Sequence, residues 1–120
     1  MTETVLLLDD NDASREILGD LLRIDGYQVE SFAKPEVALA RLPDIKPYCY
    51  VVDFHLPRMN GIAFARSVIE TSKEEADKLF LFVTGDASLD EEADISFLSN
   101  ARILLKPLKL DSLLAMVRTA

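Results

Sequence analysis

Short apolar segments that stop at a polar residue recur along this chain, and they constrain its fold more than any other feature. Apolar runs of this length, bounded by turn residues, are typical of strands buried on both faces of a parallel sheet. Four strands of this kind are therefore predicted. Residues 5–8 run into Asp9 and Asp10, residues 48–52 into Asp53, residues 79–83 into Thr84, and residues 103–105 into Lys106.

Segments with helical periodicity separate the apolar runs. Five helices are expected, and all but the fourth, which has no clean apolar face, have a start signal, a stop signal or an apolar face at helical spacing. The first helix has Ile17, Leu18, Leu21 and Leu22 on one face and ends at Gly26, and the second runs from Pro35 to about Leu42. The third begins at Gly61 with a buried stripe at Ile62, Ala65 and Ile69, and a weakly amphipathic fourth covers Glu91 to Leu98. Asp111 caps the last helix, in which Leu110, Leu113, Leu114 and Val117 recur at helical spacing.

Alternating strands and helices imply an α/β fold in which right-handed crossovers connect parallel strands and helices cover both faces of the sheet. The segment 27–32 is more polar than the four apolar runs, which predicts a fifth strand at an edge of the sheet. Residues 71–78 are interpreted as a charged linker between the third helix and the following strand. The expected architecture is a doubly wound sheet of five strands with five helices.

Length and composition indicate one globular domain over residues 1–120. The hydrophobic content is 49% and a lone cysteine, Cys49, excludes an internal disulfide bond. A formal net charge of -8 argues against sequence-independent binding of nucleic acid. No apolar stretch approaches the roughly 20 residues that span a bilayer, and the N-terminus has no signal-peptide pattern. A cytoplasmic location is the expectation.

The polar residues at the strand ends are expected to share one pocket, because open α/β sheets bind ligands outside the carboxyl ends of their strands. Three carboxylates, a hydroxyl and an ammonium would meet there. Any one strand could end at a polar residue for no functional reason, but four such ends with complementary chemistry favour a site. Clustered carboxylates of this kind suit a hard divalent cation.

These residues carry a family resemblance. Asp9 and Asp10, Asp53 followed by Leu56-Pro57 and Asn60-Gly61, Thr84-Gly85 and Lys106-Pro107 resemble, in order and spacing, the motifs of the receiver domain of two-component response regulators. The resemblance covers essentially all 120 residues. It implies a flavodoxin-like fold with strand order 2-1-3-4-5. More narrowly, residues 97–107 resemble receivers attached to hybrid sensor histidine kinases.

The resemblance implies that Asp53 accepts a phosphoryl group with the help of Mg²⁺. Asp10 and Asp53 would bind the metal, Asp9 would orient one of its waters, and the backbone carbonyl of His55 would be the third protein ligand. Thr84 would donate a hydrogen bond to one phosphoryl oxygen, and Lys106 would pair with another. No role is implied for the imidazole in metal binding.

Further positions are expected to modulate this site. The resemblance implies a cis peptide bond before Pro107, and Gly85 would leave room for the donor. His55 and Asp86 would flank the path of the water that hydrolyses the aspartyl phosphate. Ile103 stands where relatives usually carry Tyr or Phe, so the usual aromatic relay is not expected in this chain.

The partners implied are a histidine kinase or histidine phosphotransfer protein as donor, and a downstream protein or fused domain as output. The chain would promote its own phosphorylation and dephosphorylation without being an enzyme with a separate substrate. Two alternatives remain: a degenerate receiver that serves as a docking module, and an aspartyl-nucleophile phosphatase. Such phosphatases place a second aspartate where this chain has His55, which counts against the second alternative.

Overall fold

The computed structural model of the chain describes residues 2–85 and 94–120. Its sheet contains five parallel strands in the order β2-β1-β3-β4-β5, which confirms the predicted flavodoxin-like topology. The polar strand β2 lies at an edge, as expected. The strands are β1 (Thr4–Leu8), β2 (Gln28–Phe32), β3 (Cys49–Asp53), β4 (Leu79–Thr84) and β5 (Asn100–Leu105).

Four α-helices occur in the described parts of the chain: α1 (Asp12–Ile24), α2 (Pro35–Ile45), α3 (Gly61–Thr71) and α4 (Leu110–Arg118). The side chains of Asn11 and Asn60 cap α1 and α3 by accepting hydrogen bonds from the backbone N–H groups of Ser14 and Ala63, at 2.9 and 2.7 Å. Both asparagines directly follow a strand-end loop. The caps therefore fix where each helix leaves the carboxyl edge of the sheet.

Two apolar clusters cover the two faces of the sheet, because alternate residues of each strand point to opposite sides. Leu6, Leu8, Tyr50, Val52, Phe80 and Phe82 join side chains of α2 and α3 in one cluster. Val5, Leu7, Cys49, Val51, Leu81 and Val83 join side chains of α1 and α4 in the other. Every residue of β3 and β4 is buried, as the apolar runs predicted.

Helix boundaries differ from prediction in two places. Helix α2 passes through Pro43 and ends at Ile45, since Ile45, three residues beyond the predicted end at Leu42, still packs on the apolar cluster. Lys46 then ends the helix in the left-handed region, with φ of 52°. Helix α4 begins before Asp111: the carbonyl of Lys109 already accepts the N–H groups of Ser112 and Leu113, so Lys109 is the N-cap and Asp111 lies in the first turn.

Other predictions are corrected or fall outside the described chain. The linker at 71–78 contains a 3₁₀ helix, Lys73–Asp77. Residues 94–98 form a turn rather than the end of a helix, and the rest of the predicted fourth helix, with the loop after Gly85, lies outside the described residues. The buried stripe of α3 is Phe64, Ala65 and Val68, whereas Ile17 of α1 is 59% exposed.

Among residues 2–85 and 94–120, no helix combines the length and apolar character that crossing a bilayer requires.

Two apolar residues at the end of α1 allow a test of how far stability depends on the sheet-covering clusters. Leu22 is fully buried, whereas Ile24 is 82% exposed. Leu22→Ala is expected to lower the free energy of unfolding by about 2–5 kcal/mol, because it leaves a cavity between α1 and the sheet. Ile24→Ala should change it by less than about 0.5 kcal/mol. Urea titration of both variants, followed by far-UV circular dichroism, distinguishes the outcomes; equal losses would contradict this packing.

Candidate functional site

Three carboxylates meet at the carboxyl ends of β1 and β3. The register pairs Leu8 with Val52, so the next residue of each strand, Asp9 and Asp53, is carried to the same edge of the sheet. One oxygen from each of Asp9, Asp10 and Asp53 lies within 4.8 Å of the others. Asp9 and Asp53 are buried and Asp10 is exposed. The structure thus brings together all three predicted acidic residues.

The start of α1 holds Asp9 in place from two sides. The backbone N–H of Asn11 donates to Asp9 Oδ1 at 2.9 Å, and Arg15 Nη1 donates to the Asp9 carbonyl oxygen at 2.9 Å. The other nitrogen, Arg15 Nη2, lies 2.6 Å from Asp12 Oδ1. Arg15 therefore ties the first turn of α1 to the end of β1. Sequence reasoning missed this residue, although its spacing of three from Asp12 on a helix is a recognisable ion-pair signal.

The loop after β3 closes tightly against the strand because residue 61 is a glycine. A Cβ at Gly61 would lie 2.9 Å from the Asp53 carbonyl oxygen and 3.2 Å from the Cα of Phe54. Without that atom, the N–H of Gly61 donates to the Phe54 carbonyl at 2.8 Å. The same loop brings the backbone N–H of His55 to 3.4 Å from Asp53 Oδ1.

Lys106 and Thr84 complete the pocket from β5 and β4. Lys106 Nζ lies 3.6 Å from Asp53 Oδ2, and the N–H of Lys106 donates to the Thr84 carbonyl at 2.8 Å. The Lys106–Pro107 peptide bond is cis, as expected. Thr84 is completely buried, and its Oγ1 lies 3.3 Å from Nε2 of His55. His55 is expected beside the path of the attacking water, but the sequence does not predict this contact with Thr84.

The remaining predicted site residues lie in varied surroundings. Gly85 is exposed, and a Cβ built on it would meet none of the described atoms within 4 Å. Ile103 is half-buried on β5, where it pairs with Phe82 and packs against the cluster beneath α2 and α3. Asp86 lies outside the described residues. Its predicted effect on phosphoryl lifetime stays a prediction.

Burial raises the pKa of Asp53 above the ordinary aspartate value of 3.8. Desolvation is the largest cause, and the negative charges of Asp9 and Asp10 act in the same direction. The ammonium of Lys106 and the N–H of His55 oppose the shift by favouring the carboxylate. An ionised Asp53 therefore destabilises the folded chain when nothing else compensates for it.

The donor set suits a hard cation. The three side chains grouped closely enough to bind one metal ion are carboxylates, the ligand type that Mg²⁺ and Ca²⁺ prefer, and the described residues add no thiolate that would favour a softer metal. A bound cation of charge +2 would also reduce the repulsion among the carboxylates and offset the desolvation cost of burying ionised Asp53. The pocket could therefore bind a metal of this class.

Replacing Asp53 by asparagine is expected to stabilise the chain at neutral pH when divalent cations are removed with EDTA. Because the folded-state pKa is raised, the wild-type chain loses stability as the pH rises from about 3.9, the unfolded value, through the folded value, and it stays destabilised at pH 7. Asp53→Asn removes this loss. Urea midpoints at pH 3 and pH 7 should show the variant's advantage only at pH 7.

The matched control is Asp44→Asn, which makes the same change of net charge at an exposed position of α2. It should leave the midpoint unchanged. If Asp53→Asn were no more stable than wild type at pH 7, the Lys106 ion pair would outweigh desolvation.

Comparisons with known proteins agree with this geometry. A family model described as "Response regulator receiver domain" matches residues 5–118. The response regulator receiver protein CpdR of Brucella abortus is 30% identical over 109 residues, which cover 91% of this chain and 88% of CpdR.

Two further matches define how far the similarity extends. The response regulator MprA of Mycobacterium bovis is 30% identical over 98% of this chain, but the chain spans only about half, 50%, of that relative's length. The fold is that of the chemotaxis protein CheY4 of Vibrio cholerae, with a TM-score of 0.88, 24% identity, and coverage of 99% of this chain and 98% of CheY4. The match over residues 5–118 and the identity to CpdR show that the chain belongs to the response regulator receiver domain family.

Proposed function

We propose that this receiver domain accepts a phosphoryl group on Asp53 in the presence of Mg²⁺ and so relays or switches a two-component signal. One observation carries the proposal: a buried carboxylate, Asp53, lies both within a cluster of three carboxylates and 3.6 Å from the ammonium of Lys106. A metal ion on one side and the Lys106 ammonium on the other would flank a phosphoryl group attached to Asp53. Family membership supports the same function.

In the proposed reaction, a carboxylate oxygen of Asp53 attacks phosphorus of a phosphohistidine. The new P–O bond forms as the P–N bond breaks, and the bonding electron pair returns to the donor's imidazole nitrogen. Lys106 would neutralise charge on one phosphoryl oxygen, and Thr84 would donate a hydrogen bond to another. Mg²⁺, held by Asp10, Asp53 and the His55 carbonyl with Asp9 orienting a water, would supply further charge neutralisation.

The proposed partners are a histidine kinase or histidine phosphotransfer protein as donor and a downstream protein or fused domain as output. The chain takes up one phosphoryl group per molecule and contributes the groups that promote its transfer and later hydrolysis, so it is not an enzyme with a separate substrate. Its net charge of -8 supports protein partners rather than direct contact with nucleic acid. A hybrid kinase parent and a cytoplasmic location stay predictions.

Acetyl phosphate with Mg²⁺ is expected to add one phosphoryl group to the wild-type chain, detected by intact-mass spectrometry. Asp53→Asn should abolish the adduct, and EDTA should prevent its formation on the wild type. Asp44→Asn is the control, because Asp44 is exposed on α2 and is not one of the three carboxylates. Undiminished labelling of Asp53→Asn would refute the assignment.

An apolar groove of about 400 Å³ beside the pocket supports a protein donor. It lies between α1 and the loop before α4, and Ile17 and Leu110, which are 59% and 39% exposed, line it together with Pro107. Lys106 also lines this groove, which thus opens directly beside the proposed phosphoryl site. Apolar surface in this position would be covered if a partner helix presented its phosphohistidine to Asp53.

Ile17→Glu is expected to slow phosphotransfer from histidine phosphotransfer proteins by about tenfold or more, because it places a charge in an apolar contact worth about 1.4 kcal/mol or more. Labelling by acetyl phosphate should be unchanged, since that donor needs no groove. Ile24→Glu provides the control on the same helix: Ile24 is more exposed, at 82%, and lies outside the groove. Equal transfer to both variants would argue against docking here.

A further inference from the structure

The imidazole of His55 contacts the hydroxyl of Thr84. Its Nε2 lies 3.3 Å from Thr84 Oγ1, and Thr84 is completely buried while His55 is exposed on the loop after β3. The contact therefore joins the loop that follows Asp53 to the end of β4. It is a second connection between β3 and β4 at this edge, beside the hydrogen bond from the Phe54 N–H to the Val83 carbonyl at 2.9 Å.

Three other contacts limit where the His55 side chain can lie. The Phe54 ring packs against the imidazole at 5.0 Å with an interplanar angle of 82°, in an edge-to-face arrangement. The backbone of His55 forms an isolated antiparallel bridge with Asn60, the residue that caps α3. Its N–H also points to Asp53 Oδ1 at 3.4 Å. The ring is thus attached to the same short loop that positions the carboxylate.

We propose that His55 is a positioning residue whose Nε2–H donates to the Thr84 hydroxyl oxygen and so directs the hydroxyl proton toward a phosphoryl group on Asp53. This inference rests on the proposed function. A hydroxyl has one proton and two acceptor lone pairs, so a hydroxyl that accepts from an N–H can still donate its own proton to another oxygen. The opposite tautomer, with the proton on Nδ1, would make Nε2 an acceptor that competes with the phosphoryl oxygen.

The tautomer can be observed directly, because His55 is the only histidine of the chain. Long-range ¹H–¹⁵N NMR spectra of uniformly labelled protein, recorded at a pH where the ring is neutral, contain signals from one imidazole. We expect the Nε2–H pattern, and a change in the Nε2 shift in Thr84→Val, which removes the hydroxyl. The Nδ1–H pattern in the wild-type chain would overturn the proposal.

A double-mutant cycle tests the functional consequence. His55→Leu should slow Asp53 phosphorylation by acetyl phosphate and Mg²⁺ about fivefold, the factor expected for one neutral hydrogen bond. In the Thr84→Val background the same substitution should have no effect, and His55→Gln, which keeps a side-chain N–H, should recover part of the rate. A purely structural role for His55 would slow both backgrounds equally.

The outcomes separate this inference from the proposed function. If the wild-type chain takes up no phosphoryl group on Asp53, the proposed function fails. If it is labelled and Thr84→Val is slow, but His55→Leu reacts at the wild-type rate or faster, only the role of the imidazole is refuted. Urea midpoints of all variants show whether a slower rate comes from misfolding. Where it does, the results for His55→Gln and for the wild-type tautomer decide whether the imidazole has the proposed role.

Discussion

The register of β4 with its two neighbours fixes where the side chains of the site can lie. Because all five strands are parallel, their carboxyl ends lie at one edge, and each pairing sets how far a strand extends there. Asp53 pairs with Val83, one residue before Thr84, and Thr84 pairs with Leu105, one residue before Lys106. A slip of one residue in either pairing would also turn a buried face toward the wrong apolar cluster. Burial of both faces thus protects the geometry of the pocket.

That geometry carries an electrostatic cost. Three carboxylates lie together, two of them buried, and desolvation together with mutual repulsion disfavours the ionised form of Asp53. Lys106 and the backbone N–H of His55 offset this only in part. The fold tolerates the conflict because fully buried strands and the helices packed on them in the described parts of the chain supply stability elsewhere. The apolar core holds the carboxylates in this unfavourable arrangement, and a bound cation would relieve it.

The sequence was sufficient to predict what depends on local pattern. The strand ends at Asp9, Asp53, Thr84 and Lys106 could be found because an apolar run that stops at a polar group is recognisable whatever tertiary contacts surround it. The exposed position of Ile17 could not be predicted, since periodicity shows that a helix has an apolar side but not how much of that side the sheet covers. The passage of α2 through Pro43 and the early start of α4 at Lys109 likewise depend on packing.

The His55–Thr84 contact illustrates the same limit at the site. It joins residues that are 29 positions apart, and it exists only because two adjacent strands end at nearly the same height. The spacing of the two residues along the chain does not indicate this contact. Arg15 differs, because its partner Asp12 lies three residues away on one helix and could have been found from the sequence.

Asp53 and Thr84 lie on buried strands, whereas other groups near them lie on the loops that follow those strands. This difference bears on how such domains can diversify. Asp53 and Thr84 belong to strands without an exposed face, so replacing them changes both packing and chemistry. His55 and Gly85 are exposed on the loops that follow those strands. Under the proposed function, substitutions at these loop positions would alter how quickly a phosphoryl group arrives or departs while the core remains intact. The duration of a signal and the integrity of the fold would thereby be under separate mutational control.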